Sequence, residues 1–361
     1  MKIRKYIKHL IFTGIIIFLV NCGEKFNLNQ IEVGDDNVNV GGDTVYVLLN
    51  PVWDGFNKPQ DVMVGREPFI YVADTENDRV VMLNLAGEIL SSRNIKHPVA
   101  LAQDYRLNLI VCAQFDTTIN GLTQTFSAVY KLDLVSANHQ LDIAPIKRIL
   151  PKLQDFNQPL REYTGAAAFF DNKYYISRKG PNNSNLVDPD NSVLIFVQKR
   201  LEDGTTVDSL TGRVPLLEPT GTGINSANQI SSLTSFNLRN FDMILTLTGE
   251  NSFQTQWLQF VETPDFAGYI IALAPLQSDL MIPNFFESPE GATVDNSGNI
   301  YVADAEADSI YKFNAFGDLL IAFGGPDQFK EPHSVAFFDK TLYVADTGNN
   351  RILRFTLSTD L

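Results

Sequence analysis

From Thr44 onward the chain alternates short apolar runs with clusters of Asp, Asn and Gly. The stretch Pro332–Phe355 shows the pattern most clearly: Val335–Phe338, Leu342–Ala345 and Arg351–Thr356 are apolar runs separated by Asp339-Lys340 and by Asp346-Thr347-Gly348-Asn349-Asn350. Runs this short, rich in Val, Ile, Phe and Tyr and bounded by turn formers, predict an antiparallel β-meander. A lone meander cannot bury both faces, so the chain should contain copies of it. Pro59–Leu83 and Pro289–Phe313 repeat the order: Pro, an apolar run, a polar turn, Tyr-Val-Ala-Asp, a polar loop and a further apolar run.

These residues resemble the NHL repeat family of β-propellers. The resemblance is carried by Tyr71-Val72-Ala73-Asp74, Tyr301-Val302-Ala303-Asp304 and Tyr343-Val344-Ala345-Asp346, with Asn77-Asp78-Arg79 and Asn349-Asn350-Arg351 at the family's Asn-x-Arg positions. Blade 5 departs from it, with Ser309 in place of Arg. The resemblance implies an all-β, NHL/TolB-like propeller.

Inner strands are expected at Asp61–Val64, Val99–Gln103, Ala166–Phe170, Ile230–Phe236 and just after Pro289 and Pro332. This gives six blades of about 53 residues, within the range for repeat propellers. Long loops are expected between the second and third strands of blades 2, 3 and 4. The outer strand of blade 3 is placed at Arg213–Leu217. Blade 6 runs out of chain after three strands, whereas Thr44–Leu49 is an orphan strand ahead of blade 1. Pairing the two would close the ring and remove an exposed edge.

The first 21 residues read differently. A basic stretch ending at Lys8-His9 precedes the apolar run Leu10–Val20, which is too short for the ~20 residues of a spanning helix. It ends in Leu19-Val20-Asn21-Cys22-Gly23, which resembles a bacterial lipoprotein signal with Cys22 as the acylated residue. Asn21 stands where Gly, Ala or Ser is usual. The expected organisation is a signal peptide over 1–21, a polar tether over 22–43 and the propeller over 44–361. This implies a lipid-anchored protein of the bacterial cell envelope. Cys112, the other cysteine, lies in the apolar run Leu109–Ala113 and reads as a small core residue.

Charge narrows the partners. Without Lys2, Arg4, Lys5 and Lys8 the chain keeps 24 basic residues against 42 acidic, a net charge of −18. With no basic cluster, this surface repels nucleic-acid phosphates, so no nucleic acid is expected.

Repeated and variable residues separate structure from chemistry. Asp74, Asp304 and Asp346 recur at equivalent positions and read as structural acceptors for backbone N–H groups and for Arg79 or Arg351. Positions that differ between blades, at the inner-strand starts and on the loops of the same face, are the candidate ligand-binding residues. They are Gln60, Asp61, Asn228, Glu290 and His333, with Arg178 and Glu250 from the loops.

Two propeller enzyme families offer comparisons. Pro332-His333-Ser334 resembles a zinc-ligand site of peptidyl-hydroxyglycine lyases, but the equivalent positions Gln60, Val99 and Glu290 lack the other imidazoles. A catalytic zinc usually takes three protein ligands. Glu290, Asn228 and Asp61 could imitate the calcium ligands of lactonase-type propellers. The expectation is therefore a monomeric binding or scaffolding module for a protein or small molecule, with no catalytic residues and no cofactor. A calcium- or zinc-dependent lyase or hydrolase is the alternative.

Overall fold

The structure, a computed structural model, describes residues 44–361 apart from Asn237. The expected signal peptide, Cys22 and the tether lie outside the described residues. Six four-stranded antiparallel sheets are arranged as blades. Blade 1 comprises β2 (Pro59–Val64), β3 (Ile70–Asp74), β4 (Arg79–Leu83) and β5 (Ile89–Asn94). Blade 2 has β6 (Ala100–Gln103), β7 (Asn108–Ile119), β8 (Leu122–Asp133) and β9 (Ile146–Leu150). Blade 3 has β10 (Glu162–Ala168), β11 (Tyr174–Lys179), β12 (Ser192–Arg200) and β13 (Thr206–Arg213). Blade 4 has β14 (Ile230–Ser235), β15 (Met243–Leu247), β16 (Thr255–Thr263) and β17 (Phe266–Ile271), and blade 5 has β18 (Pro289–Val294), β19 (Ile300–Asp304), β20 (Ser309–Phe313) and β21 (Leu319–Gly324). Blade 6 is built from β22 (Pro332–Phe338), β23 (Thr341–Asp346) and β24 (Arg351–Leu357), with β1 (Tyr46–Leu48) outermost.

Each apolar cluster lies between successive blades rather than within one. Tyr71 and Val80 of blade 1 pack with Leu101 and Val111 of blade 2, and Tyr301 and Ile310 of blade 5 pack with Val335 and Leu353 of blade 6. The junction of blades 6 and 1 joins Tyr343 and Ala345 to Val62 and Val72. Second strands are thus covered on both faces, which is why Ile70–Asp74 and Ile300–Asp304 are buried throughout. The three tyrosines of the Tyr-Val-Ala-Asp motifs belong to these clusters.

The repeated aspartates are staples. Asp346 is fully buried and accepts from Lys330 N at 2.7 Å, Asn349 Nδ2 at 3.0 Å and Arg351 Nε at 2.6 Å. Asp74 does the same with Asn57 N, Asn77 Nδ2 and Arg79 Nε. In blade 5, where Ser309 replaces the arginine, Asp304 accepts instead from Glu287 N and Ser288 N at 2.8 Å. The backbone donors lie mainly on the segment entering the inner strand, so each carboxylate pins that segment to the second strand. The next residue links blades: Thr75 Oγ1 donates to Pro98 O at 2.7 Å and Thr347 Oγ1 to Pro59 O at 2.6 Å.

Tyr46, Val47 and Leu48 pair with Leu357, Thr356 and Phe355, so the fourth strand of the last blade comes from the start of the described chain. The Tyr46 ring stacks on Phe323 at 4.7 Å and its hydroxyl meets Tyr301 Oη at 3.1 Å.

Two expected features are corrected. The long loop expected between the second and third strands of blade 2 is instead a continuous hairpin of two 12-residue strands turned by Asn120-Gly121. Both turn residues have positive φ (53° and 79°), the backbone a two-residue hairpin requires and Asn-Gly supplies readily. The outer strand of blade 3 is Thr206–Arg213 rather than Arg213–Leu217. The chain reverses at Leu201–Thr205, where Asp203 accepts from Thr205 N and Gly204 takes φ 84°. This rim strand is largely exposed and polar, so it carries no apolar signature. Among the described residues no helix is long and apolar enough to cross a membrane.

Candidate functional site

The six inner strands line a central cavity of 510 Å³. Small side chains make room for it: Ala100, Ala102, Ala166, Ala168, Ala292 and Ala336 form much of its wall. Glycine allows the closest strand approach. A Cβ on Gly291 would sit 2.4 Å from the His333 carbonyl oxygen, so blades 5 and 6 touch at that point.

Five of the six inner strands carry a β-bulge at the same place. In blade 1, Pro59 pairs with Asp74 and Asp61 with Ala73, which leaves Gln60 without a partner. The same two-step skips Thr164 in blade 3, Ser231 in blade 4, Glu290 in blade 5 and His333 in blade 6. A bulge inserts one residue, bends the strand and re-aims the side chain. All five bulged residues are polar and all five line the cavity.

They divide into two groups. Thr164 Oγ1 donates to Ile230 O at 2.7 Å and Ser231 Oγ to Pro289 O at 2.7 Å, so these two link blades 3, 4 and 5. Gln60, His333 and Glu290 follow on blades 1, 6 and 5. All three are half-buried. The side chains of Gln60 and His333 make no hydrogen bond to any described residue, and Glu290 has only a long contact from Ser288 Oγ at 3.4 Å. Burial pushes the His333 imidazole below its usual value, against the opposing pull of Glu290 and Glu331. It is therefore neutral at pH 7, with one ring nitrogen free to accept.

Asp61 lies one residue deeper and differs in kind. Its Oδ1 accepts from Ser334 Oγ of blade 6 and its Oδ2 from Leu101 N of blade 2, both at 2.6 Å. Burial nevertheless pushes its carboxyl up to about 6, more than these bonds offset. The residue borders the cavity and is not closed off from it, yet protein surrounds the carboxylate itself. The ordinary value is about 3.9, so between the two values the folded state binds more protons than the unfolded chain. Stability from this group is therefore fully present below about pH 3.9 and is lost as pH rises through about 6, by about 2–3 kcal/mol. The unfolding free energies of wild type and Asp61→Asn should accordingly diverge by about 2 kcal/mol between pH 4 and pH 7, in favour of the variant at pH 7. Urea titrations at the two pH values measure this. A difference that does not change with pH would show an ordinary carboxylate.

The remaining candidates lie elsewhere. Arg178 is buried and held by its own loop: its Nε donates to Asp190 O at 3.0 Å and its Nη2 to Asp188 Oδ1 and Pro189 O. Together with Arg161, which contacts Asp155, Asp188 and Asp190, it clamps the blade 3 loop. Asn228 is absent from the cavity wall. Its Nδ2 donates to Glu250 O at 3.3 Å, and the Glu250 side chain is exposed above blade 4. The lactonase-like set Glu290, Asn228 and Asp61 therefore does not line one cavity. Among the described residues, no three His, Cys, Asp or Glu side chains are grouped as metal ligands.

Glu162, absent from the sequence candidates, lines the cavity from blade 3 and pairs at 3.5 Å with Lys179, which the sequence places on this face beside Arg178. Inner strand β10 starts four residues before the apolar run that suggested it, because its first residues are polar. The alternation of Glu162, Tyr163, Thr164 and Gly165 was the available signal.

The NHL repeat model matches residues 329–355, the inner three strands of blade 6. No curated protein matches the chain by sequence. Among solved structures, a luciferin-regenerating enzyme is 12% identical with a TM-score of 0.55, covering 87% of this chain and 95% of that one. An auxiliary nutrient binding protein from Bacteroides thetaiotaomicron is 11% identical with a TM-score of 0.55, covering 84% and 70%. A gluconolactonase from Xanthomonas campestris is 12% identical with a TM-score of 0.52, covering 88% and 90%. At these identities the likeness is one of fold, and propellers so related serve both binding and catalysis.

Proposed function

We propose that this NHL-repeat, six-bladed propeller is a binding module of the bacterial cell envelope, tethered through a lipid on Cys22 and monomeric. It takes a protein or small-molecule ligand at the channel mouth. The observation that carries this reading is the arc of Gln60, His333 and Glu290. Three polar residues are re-aimed by bulges to one end of a cavity and left without the hydrogen bonds that satisfy their counterparts in blades 3 and 4. Unsatisfied, half-buried polar groups on a rigid sheet are preorganised for a ligand. The lipid anchor rests on the sequence around Cys22.

The triple variant Gln60→Ala, Glu290→Ala, His333→Ala should keep its stability to within about 1 kcal/mol, since none of these side chains holds the fold together. It should lose ligands that raise the wild-type melting temperature in a screen of peptides, sugars and lactones. Hits that bind the triple variant unchanged would overturn the assignment.

The second reading, a divalent-metal lyase or hydrolase, is favoured by the adjacency of Glu290 and His333. Metal analysis of protein purified without chelator separates the two. Stoichiometric zinc or calcium that disappears in His333→Ala would favour the enzyme, and metal-free wild type would remove it.

A further inference from the structure

The mouth contains more acids than Glu290, and the others are already engaged. Glu331 lies 3.9 Å from Lys58, Glu162 lies 3.5 Å from Lys179, and Asp61 accepts from Ser334 and Leu101. Among the described carboxylates at the mouth, Glu290 has neither a cation nor a backbone N–H. Its neighbours on the arc are also able to accept: His333 through the free nitrogen of a neutral imidazole and Gln60 through its amide oxygen.

The three residues sit on strands that touch. Gly291, next to Glu290, abuts the carbonyl of His333, and Ser334, next to His333, bonds to Asp61, the neighbour of Gln60. Three acceptors on adjoining strands, one of them charged, match a group with three donors, no acceptor and a positive charge. A primary ammonium is that group. The long-range field agrees, because a chain of net charge −14 attracts cations.

Resting on the binding reading above, we propose that the mouth recognises a primary ammonium group, from a lysine side chain or the amino terminus of a peptide. The ammonium meets Glu290, His333 and Gln60. Lys179, across the cavity, limits the affinity by repulsion that its pairing with Glu162 only partly cancels.

The test is isothermal titration of the full chain at low salt with four probes. These are Nα-acetyl-lysine methylamide, alanine methylamide, Nα,Nε-diacetyl-lysine methylamide and maltose. The first or second probe should bind at least tenfold more tightly than the diacetylated one, and which of the two is preferred identifies the source of the ammonium. Glu290→Gln, nearly isosteric, should weaken that probe tenfold or more, and Lys179→Gln should tighten it two- to fivefold. A purely structural role for Glu290 would not give the opposite effects of these two substitutions. If the diacetylated probe or maltose binds as well as the amines and still depends on Glu290, the ammonium assignment fails and the mouth remains a binding site. If no probe binds, or binding ignores Glu290 and Lys179 alike, the ammonium proposal fails, and the binding reading then stands or falls on the ligand screen of the triple variant.

Discussion

A chain shortened to begin after Asn50 should be less stable than the full chain by about 4 kcal/mol. β1 contributes few residues, but they are well placed. Their loss removes the ladder to β24, including the Leu49 N to Arg354 O bond at 2.8 Å, at about 1 kcal/mol per bond. It also removes the stack of Tyr46 on Phe323 and the burial that accompanies it, worth a further one or two kcal/mol or so. At roughly 2–4 °C per kcal/mol for a domain of this scale, the melting temperature should fall by on the order of 10 °C. The truncation also leaves β24 as an unpaired edge, a template for aggregation. A synthetic peptide spanning Thr44–Asn50, added in excess, should restore part of the loss by strand addition. An unchanged melting temperature would mean that the pairing contributes nothing to closure.

Asp346→Ala should cost about 3–5 kcal/mol, although the residue touches no ligand. The carboxylate is fully buried and receives three donors, so its removal leaves the Lys330 N–H and the Arg351 guanidinium without their partner. Arg351→Ala should cost less, about 1–2 kcal/mol, because the arginine is partly solvated and the backbone bond to Lys330 survives. Urea unfolding of the two single variants and the double variant measures the coupling. The double variant should cost clearly less than the sum of the two. If Asp346→Ala is within 1 kcal/mol of wild type, the staple is not structural.

The legible part of this protein is the part that repeats. Tyr-Val-Ala-Asp at three places marked the second strands, and the orphan run Thr44–Leu49 ahead of blade 1 marked a displaced outer strand. The illegible part is solvated or held by distant residues. β13 at the rim has no apolar face to announce it, and the Asn120-Gly121 turn stood inside what read as a loop. Among the site candidates, aligning the blades found Gln60, Glu290 and His333, because the bulge falls at a fixed distance from the strand-opening proline. The same alignment could not show that Arg178 is committed to Asp188, ten positions along its own loop. Nor could it show that Asn228 turns toward Glu250 rather than the cavity. Those outcomes are decided by loop folds for which no repeat supplies a template.

The strand exchange at blade 6 also sets an order of assembly. Pro51 and its partner Arg354 are 303 positions apart in the chain. At 5–20 residues per second, roughly 15 to 60 s of synthesis separates one from the other. Throughout that interval blades can form one after another, yet the ring has no last contact to lock it, and the apolar face of blade 1 that blade 6 will cover stays open to water. Contacts this distant along the chain make folding slow. Until the two ends of the chain stand together in one compartment, anything that shields Val62 and Val72 acts as a temporary stand-in for the final blade.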